Sequence, residues 1–166
     1  EQSANFFTSC LQHGTTTVVA YLSSFAPAAD IAFAQAENAG IRAYLGLALM
    51  DRNVPAALAT DASRAEREMR ELISRYHRKG KNEFVVTPRF AISCTPDLLE
   101  LCGVLSREYG TLLQTHISEN RAEIEETLRL FPGAKSYTEV YEKYGCLHER
   151  TLLGHGIHLD EAELSL

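Results

Sequence analysis

Five short apolar runs recur along this chain, each followed by a helical pattern, and that alternation limits the possible folds more than any other feature. The runs are Thr15 to Leu22, Ile41 to Leu49, Phe84 to Ala91, Leu112 to Ser118 and Thr151 to Leu159. They are rich in Val, Ile, Thr and Leu, and several lack clean polar alternation, as strands of a parallel sheet covered on both faces do. Strands alternating with helices predict βαβ units. An open doubly wound sheet and a TIM-type barrel both satisfy that pattern. Thr15 and Thr151 lie 136 positions apart, so the four repeats between them take 34 residues each. At that pitch eight units need about 272 residues, near the roughly 250 of a typical (β/α)8 barrel. The chain has 166 residues and holds five units. The predicted fold class is α/β, part of a TIM-type (β/α)8 barrel with about five parallel strands and outer helices. A self-contained five-stranded α/β domain is the alternative.

The helices carry their own signals. Ala65, Met69, Leu72, Ile73 and Tyr76 make one apolar stripe at helical spacing. Ser63 with Glu66 predicts a capping box at its start, and Asn120 with Glu123 predicts another. Thr95-Pro96 reads as an N-cap followed by a first-turn proline. Pro132-Gly133 should break one helix before a shorter one carrying Tyr137, Val140, Tyr141 and Tyr144. Gly40 and Gly145 stand where helix-ending glycines belong. Glu1 to Leu11 reads as a helix entering the first strand. Asp160 with Glu163 looks like a cap opening a further helix just before Leu166. These ends read as the middle of a larger protein.

Apolar residues make up 45% of the chain, enough to build a core. The net charge is −6, with no clustered positive charge of the kind that binds nucleic acid. No apolar run is long enough to cross a bilayer, and Glu1-Gln2-Ser3-Ala4 lacks the basic start of a signal peptide. Cys10, Cys94, Cys102 and Cys146 form no C-x-x-C pair. They read as reduced, mostly buried thiols, which favours a cytoplasmic setting.

Three strand ends hold unusual polar residues. In parallel α/β folds, active sites form at the C-terminal ends of strands, so Arg89, His116, Glu119 and His155 should surround one mouth. Gln114 and His116 share a face of their strand, Thr115 and Ile117 the other. That places an imidazole where a metal could sit, or alternatively a core histidine with satisfied hydrogen bonds. Glu119 suits proton transfer to a leaving group, or simply a carboxylate favoured by a helix dipole. Gly154 and Gly156 flank His155, allowing close backbone approach to a ligand or only a tight turn. Arg89-Phe90 joins a planar donor fork to an aromatic face, a pairing that suits a flat heteroaromatic ring. The alternative is an ion-paired Arg beside a core Phe.

These strings have a familiar order. Gly14-Thr15-Thr16-Thr17, Leu49-Met50-Asp51-Arg52-Asn53, Thr87-Pro88-Arg89-Phe90, Thr115-His116-Ile117-Ser118-Glu119-Asn120 and Gly154-His155-Gly156 together closely resemble the guanine deaminases, a family of the metal-dependent amidohydrolase superfamily. The resemblance runs over nearly the whole chain. It implies a distorted barrel that binds one zinc ion (Zn2+) and hydrolyses guanine to xanthine and ammonia. It implies His116 as a zinc ligand, Glu119 as the catalytic proton-transfer residue, His155 as a catalytic residue near metal and substrate, and Arg89 and Phe90 as the purine-binding pair. It further implies a cytosolic homodimer as the full-length protein, with a small-molecule purine as its partner and neither nucleic acid nor membrane. The family's H-x-H pair and late Asp have no counterpart here, so the zinc ligand set is incomplete. Residues 1–166 then correspond to barrel strands two to six, one partial barrel domain, expected to be inactive alone. A related amidohydrolase acting on another aminated heterocycle, or a non-catalytic α/β ligand-binding domain, is the competing reading.

Overall fold

Strand β1 (Thr17–Leu22) is followed by β2 (Arg42–Leu47), β3 (Asn82–Val86), β4 (Leu112–Ile117) and β5 (Thr151–His155) in a computed structural model describing residues 1–166. All adjacent pairs are parallel, and their order in the sheet is their order in the chain. A doubly wound sheet reverses its strand order at a switch point, and this one does not.

The sheet is curled. Neighbouring strands lie about 4.8 Å apart, so β1 and β4 would be about 14 Å apart in a flat sheet. Instead, Gln114 Nε2 on β4 donates to the Ala20 carbonyl on β1 at 3.2 Å. The Tyr21 and His116 rings also approach to 4.6 Å between centroids. The five strands therefore form the arc of a TIM-type barrel, with Tyr21, Gly46, Gln114 and His116 on the concave face.

The convex face is dry. Ala43, Leu45, Leu47, Phe84, Val86, Leu113 and Ile117 join the helices in one cluster of 29 buried residues, so the chain has one core. Its helical side comes from α1 (Gln2–Gln12), α2 (Ala26–Ala39), α3 (Ala62–Tyr76), α4 (Pro96–Tyr109), α5 (Arg121–Leu130) and α6 (Tyr137–Lys143). The predicted α3 stripe is correct: Ala65, Met69, Leu72 and Ile73 are buried. The cysteines are all free, and three are buried. Burial pushes the Cys94 and Cys146 thiols up to about 12, far from a reactive thiolate. No helix is long and apolar enough to cross a membrane.

The caps follow local chemistry, with corrections. Thr95 accepts from the Leu98 amide as predicted. Asn120 accepts from the Glu123 amide, but the buried Glu123 Oε1 returns no bond, so the predicted box is only half made. The α3 cap is Asp61 rather than Ser63. Its carboxylate accepts from the Arg64 amide at 3.0 Å, while Ser63 Oγ donates to the same oxygen. A carboxylate reaches the first-turn amides as well as a hydroxyl does, and the helix dipole favours its charge. Asp160 and Glu163 do bond reciprocally, but only a 3-10 turn at Glu163–Ser165 follows. Strand β3 ends at Val86 rather than Ala91. Pro88 cannot donate to a ladder, and the chain turns there into a 3-10 turn at Ala91–Ser93.

Gly46 is where the concave face is tightest. A Cβ there would overlap the Val85 carbonyl and the Thr87 side chain. Gly46→Ala should destabilise the protein by at least about 1–3 kcal/mol, the usual cost of overpacking. Chemical denaturation of the variant beside wild type measures this, and an unchanged midpoint would mean that β2 and β3 separate freely.

Candidate active site at the strand ends

The side chains of His116, Glu119 and His155 come together at the C-terminal ends of β4 and β5, and Arg89, beyond the end of β3, joins them through its backbone carbonyl. His116 is the centre. Its Nδ1 lies 2.8 Å from the Arg89 carbonyl, and its backbone amide donates to the same oxygen at 3.3 Å. A carbonyl only accepts, so Nδ1 carries the proton and Nε2 keeps a free lone pair. A backbone carbonyl that fixes the tautomer in this way is the usual support of a metal-binding imidazole. The donor chemistry therefore fits His116 as a zinc ligand through Nε2.

His155 reaches the site by a backbone exception. It pairs in register with Ile117, which faces the buried helical side. Regular alternation would send the imidazole the same way. His155 instead has φ 70, and its ring stacks on His116 at 5.2 Å and 24°. A left-handed non-glycine residue costs roughly 1–2 kcal/mol. Ser118, at the end of the adjacent β4, has φ 50. Two such residues on neighbouring strand ends mark the place where regular strand geometry yields to the site.

Glu119 follows Ser118, and its Oε2 lies 3.6 Å from His155 Nε2. Both side chains remain open to solvent, at 51% and 36% exposure, so the pair adds little stability and both groups are free to act. Arg89 is exposed and Phe90 half-exposed, with the guanidinium carbon 5.1 Å from the ring centroid. The Arg89 amide is bonded to the Leu49 carbonyl. Its main chain thus joins β2, β3 and β4 while its side chain stays available.

Sequence reasoning missed the clamp beneath this turn. The Asp51 carboxylate accepts from both the amide and the hydroxyl of Thr95, at 2.7 and 2.5 Å. Arg52 donates to the carbonyls of Ala91 and Ile92, and Asn53 to that of Ile92. The Arg52 guanidinium also lies 4.7 Å from the Phe131 ring centroid. The string from Leu49 to Asn53 entered the resemblance without a role, and its role is to pin the segment that carries Arg89 and Phe90. Tyr21 was also missed. A lone Tyr in an apolar run gives no signal that its ring will cover His116.

No group of three or more His, Cys, Asp or Glu side chains converges to hold an ion. A catalytic zinc usually takes three protein ligands. These residues supply His116, with His155 beside it, and further ligands would have to come from outside residues 1–166.

An arc of parallel strands with a histidine pair and a carboxylate at its C-terminal mouth has the design of a metal-dependent hydrolase, and residues 1–166 match the amidohydrolase family over their whole length. The chain belongs to that family. It is 39% identical over 158 residues to the guanine deaminase of Dictyostelium discoideum, covering 94% of this chain and 35% of that protein. The solved structure of E. coli guanine deaminase superimposes with a TM-score of 0.94 at 33% identity, over 97% of this chain and 38% of that one. The C. acetobutylicum guanine deaminase, solved with guanine in its active site, superimposes with a TM-score of 0.93 at 30% identity, over 97% and 39%. The chain thus spans little more than a third of the length of the proteins it matches.

Proposed function

We propose that residues 1–166 are a partial barrel domain, strands two to six in family terms, of a longer protein that hydrolyses guanine to xanthine and ammonia. The observation that carries this reading is the shared carbonyl of Arg89. It holds the Nδ1 of the proposed zinc ligand while the same residue's side chain stands free beside Phe90. A metal-binding group and a binder of flat rings are thereby built on one backbone turn.

His116 would hold the ion, with His155 adjacent. When bound, zinc supplies Lewis acidity and brings the pKa of water toward neutrality. Glu119 takes a proton from the attacking water and delivers it to the ring nitrogen as the C–O bond forms; the remaining hydroxyl proton then passes to the amino group, the C–N bond breaks, and ammonia leaves as the carbonyl forms. His155 stabilises the charge that develops on the attacking oxygen. The Arg89 fork donates to ring acceptors, and Phe90 covers the ring face. The full-length protein works as a cytosolic homodimer on a small-molecule purine. The 166 residues alone do not turn guanine over, because their ligand set is incomplete.

The test is turnover by the full-length protein of guanine, cytosine and an aminotriazine, with Arg89→Ala beside wild type. Guanine should be preferred. Arg89→Ala should raise KM for guanine roughly ten- to a hundredfold, the loss of a charged hydrogen bond. Its backbone carbonyl remains, so zinc content should not change. Preference for the triazine or cytosine would assign the barrel to a related amidohydrolase, and no turnover of any would leave a ligand-binding domain.

A further inference from the structure

The phenol of Tyr141 on α6 is completely buried, behind the sheet and away from solvent. Its hydroxyl donates to the His116 carbonyl at 2.7 Å. The Ala91 amide donates to that hydroxyl at 3.0 Å. Thr115 Oγ1 lies a further 3.0 Å away. A hydroxyl has one proton and two lone pairs. The proton is used on His116, so both lone pairs accept, from Ala91 and from Thr115. Every bonding site of this oxygen is filled, and its geometry is fixed from three directions.

Two of those bonds lead into the site. Ala91 follows Arg89 and Phe90 directly, and His116 is the proposed metal ligand. Arg89 already touches His116 on the concave side through its carbonyl. Tyr141 makes the second link, from the convex side. Two links on opposite faces of the strands remove the hinge that either one alone would leave.

We propose that Tyr141 is a positioning residue, whose buried hydroxyl sets the spacing between the purine-holding turn and the metal-binding imidazole. This rests on the reading of the site given above. Neighbouring Tyr137 provides the contrast. It is buried too, its ring lies 5.3 Å from that of Tyr141, and its hydroxyl bonds neither the Ala91 amide nor the His116 carbonyl. Tyr137→Phe therefore alters the same buried cluster while the bonds of Tyr141 to Ala91, His116 and Thr115 stay in place.

The experiment compares Tyr141→Phe and Tyr137→Phe in the full-length protein, reading kcat and KM for guanine and, separately, zinc affinity by competition with a chelator. Tyr141→Phe keeps the ring and leaves the Ala91 amide and the His116 carbonyl unpaired. It should lower kcat/KM and weaken zinc binding, each by roughly ten- to a hundredfold, as loss of a ligand's outer support does. Tyr137→Phe should leave both within about twofold of wild type. Wild-type values in Tyr141→Phe, or equal losses in the two variants, would overturn the assignment. Should wild-type protein not turn over guanine, the functional reading fails. Zinc affinity then decides for Tyr141 by itself. If Tyr141→Phe does not fold, Thr115→Val carries the test, since it removes one of the three bonds that aim the hydroxyl. A severalfold loss of zinc affinity supports the proposal, and wild-type affinity overturns it.

Discussion

Glu119→Gln in the full-length protein should lower kcat by roughly a hundred- to ten-thousandfold while zinc content stays at the wild-type level, the range expected for removal of a general acid–base group. The amide has the shape of the carboxylate and can still accept a hydrogen bond, but it cannot take up and release a proton at neutral pH. The competing role for Glu119 is to serve the start of α5, and the structure assigns that task elsewhere. Asn120 is the cap, accepting from the Glu123 amide at 2.9 Å. Glu119 stands outside the helix and turns toward His155. Its replacement should therefore cost little stability. Steady-state kinetics and metal analysis on one preparation check both parts. Near-full activity would return Glu119 to the status of a surface carboxylate.

His116→Ala should remove the metal, and activity with it, without unfolding the protein. The imidazole is only half-buried, and its amide still donates to the Arg89 carbonyl after truncation. The loss in stability is that of one ring packed on Tyr21 and His155 and one hydrogen bond, about 1–2 kcal/mol by ordinary magnitudes. Zinc measured after gel filtration should fall from about one ion per chain to near zero, with the thermal midpoint little changed. Stoichiometric zinc in the variant would show that other residues hold the ion. The two variants separate the roles: one empties the site, and the other leaves it loaded but slow.

The strands and their order were legible because βα alternation is a local signal, repeated at nearly constant spacing. The Asn120 and Thr95 caps were legible for the same reason, each being a bond across three residues. The meeting of His116, Glu119 and His155, with the Arg89 backbone beside them, followed from the rule that strand ends share a mouth. The missing pieces depend on distance or on backbone exceptions. A period-two pattern turns the ring of His155 toward Ile117, and nothing in Gly-His-Gly announces a left-handed histidine. The clamp from Asp51, Arg52 and Asn53 spans about forty residues, so no window along the chain contains both halves. Tyr141 was read only as part of an apolar helix face, which is true of its ring and uninformative about its oxygen.

The sequential strand order also has a kinetic meaning. Each strand's hydrogen-bonded neighbour is the next strand in the chain, so the arc can lengthen one βα unit at a time as the polypeptide leaves the ribosome. Loop-closure entropy is met in steps of a few tens of residues instead of one large step, the low-contact-order condition that favours fast folding. The bond from Gln114 to Ala20 spans 94 residues. It can form only after four strands are in place, so this closure of the concave face that carries His116 waits for β4.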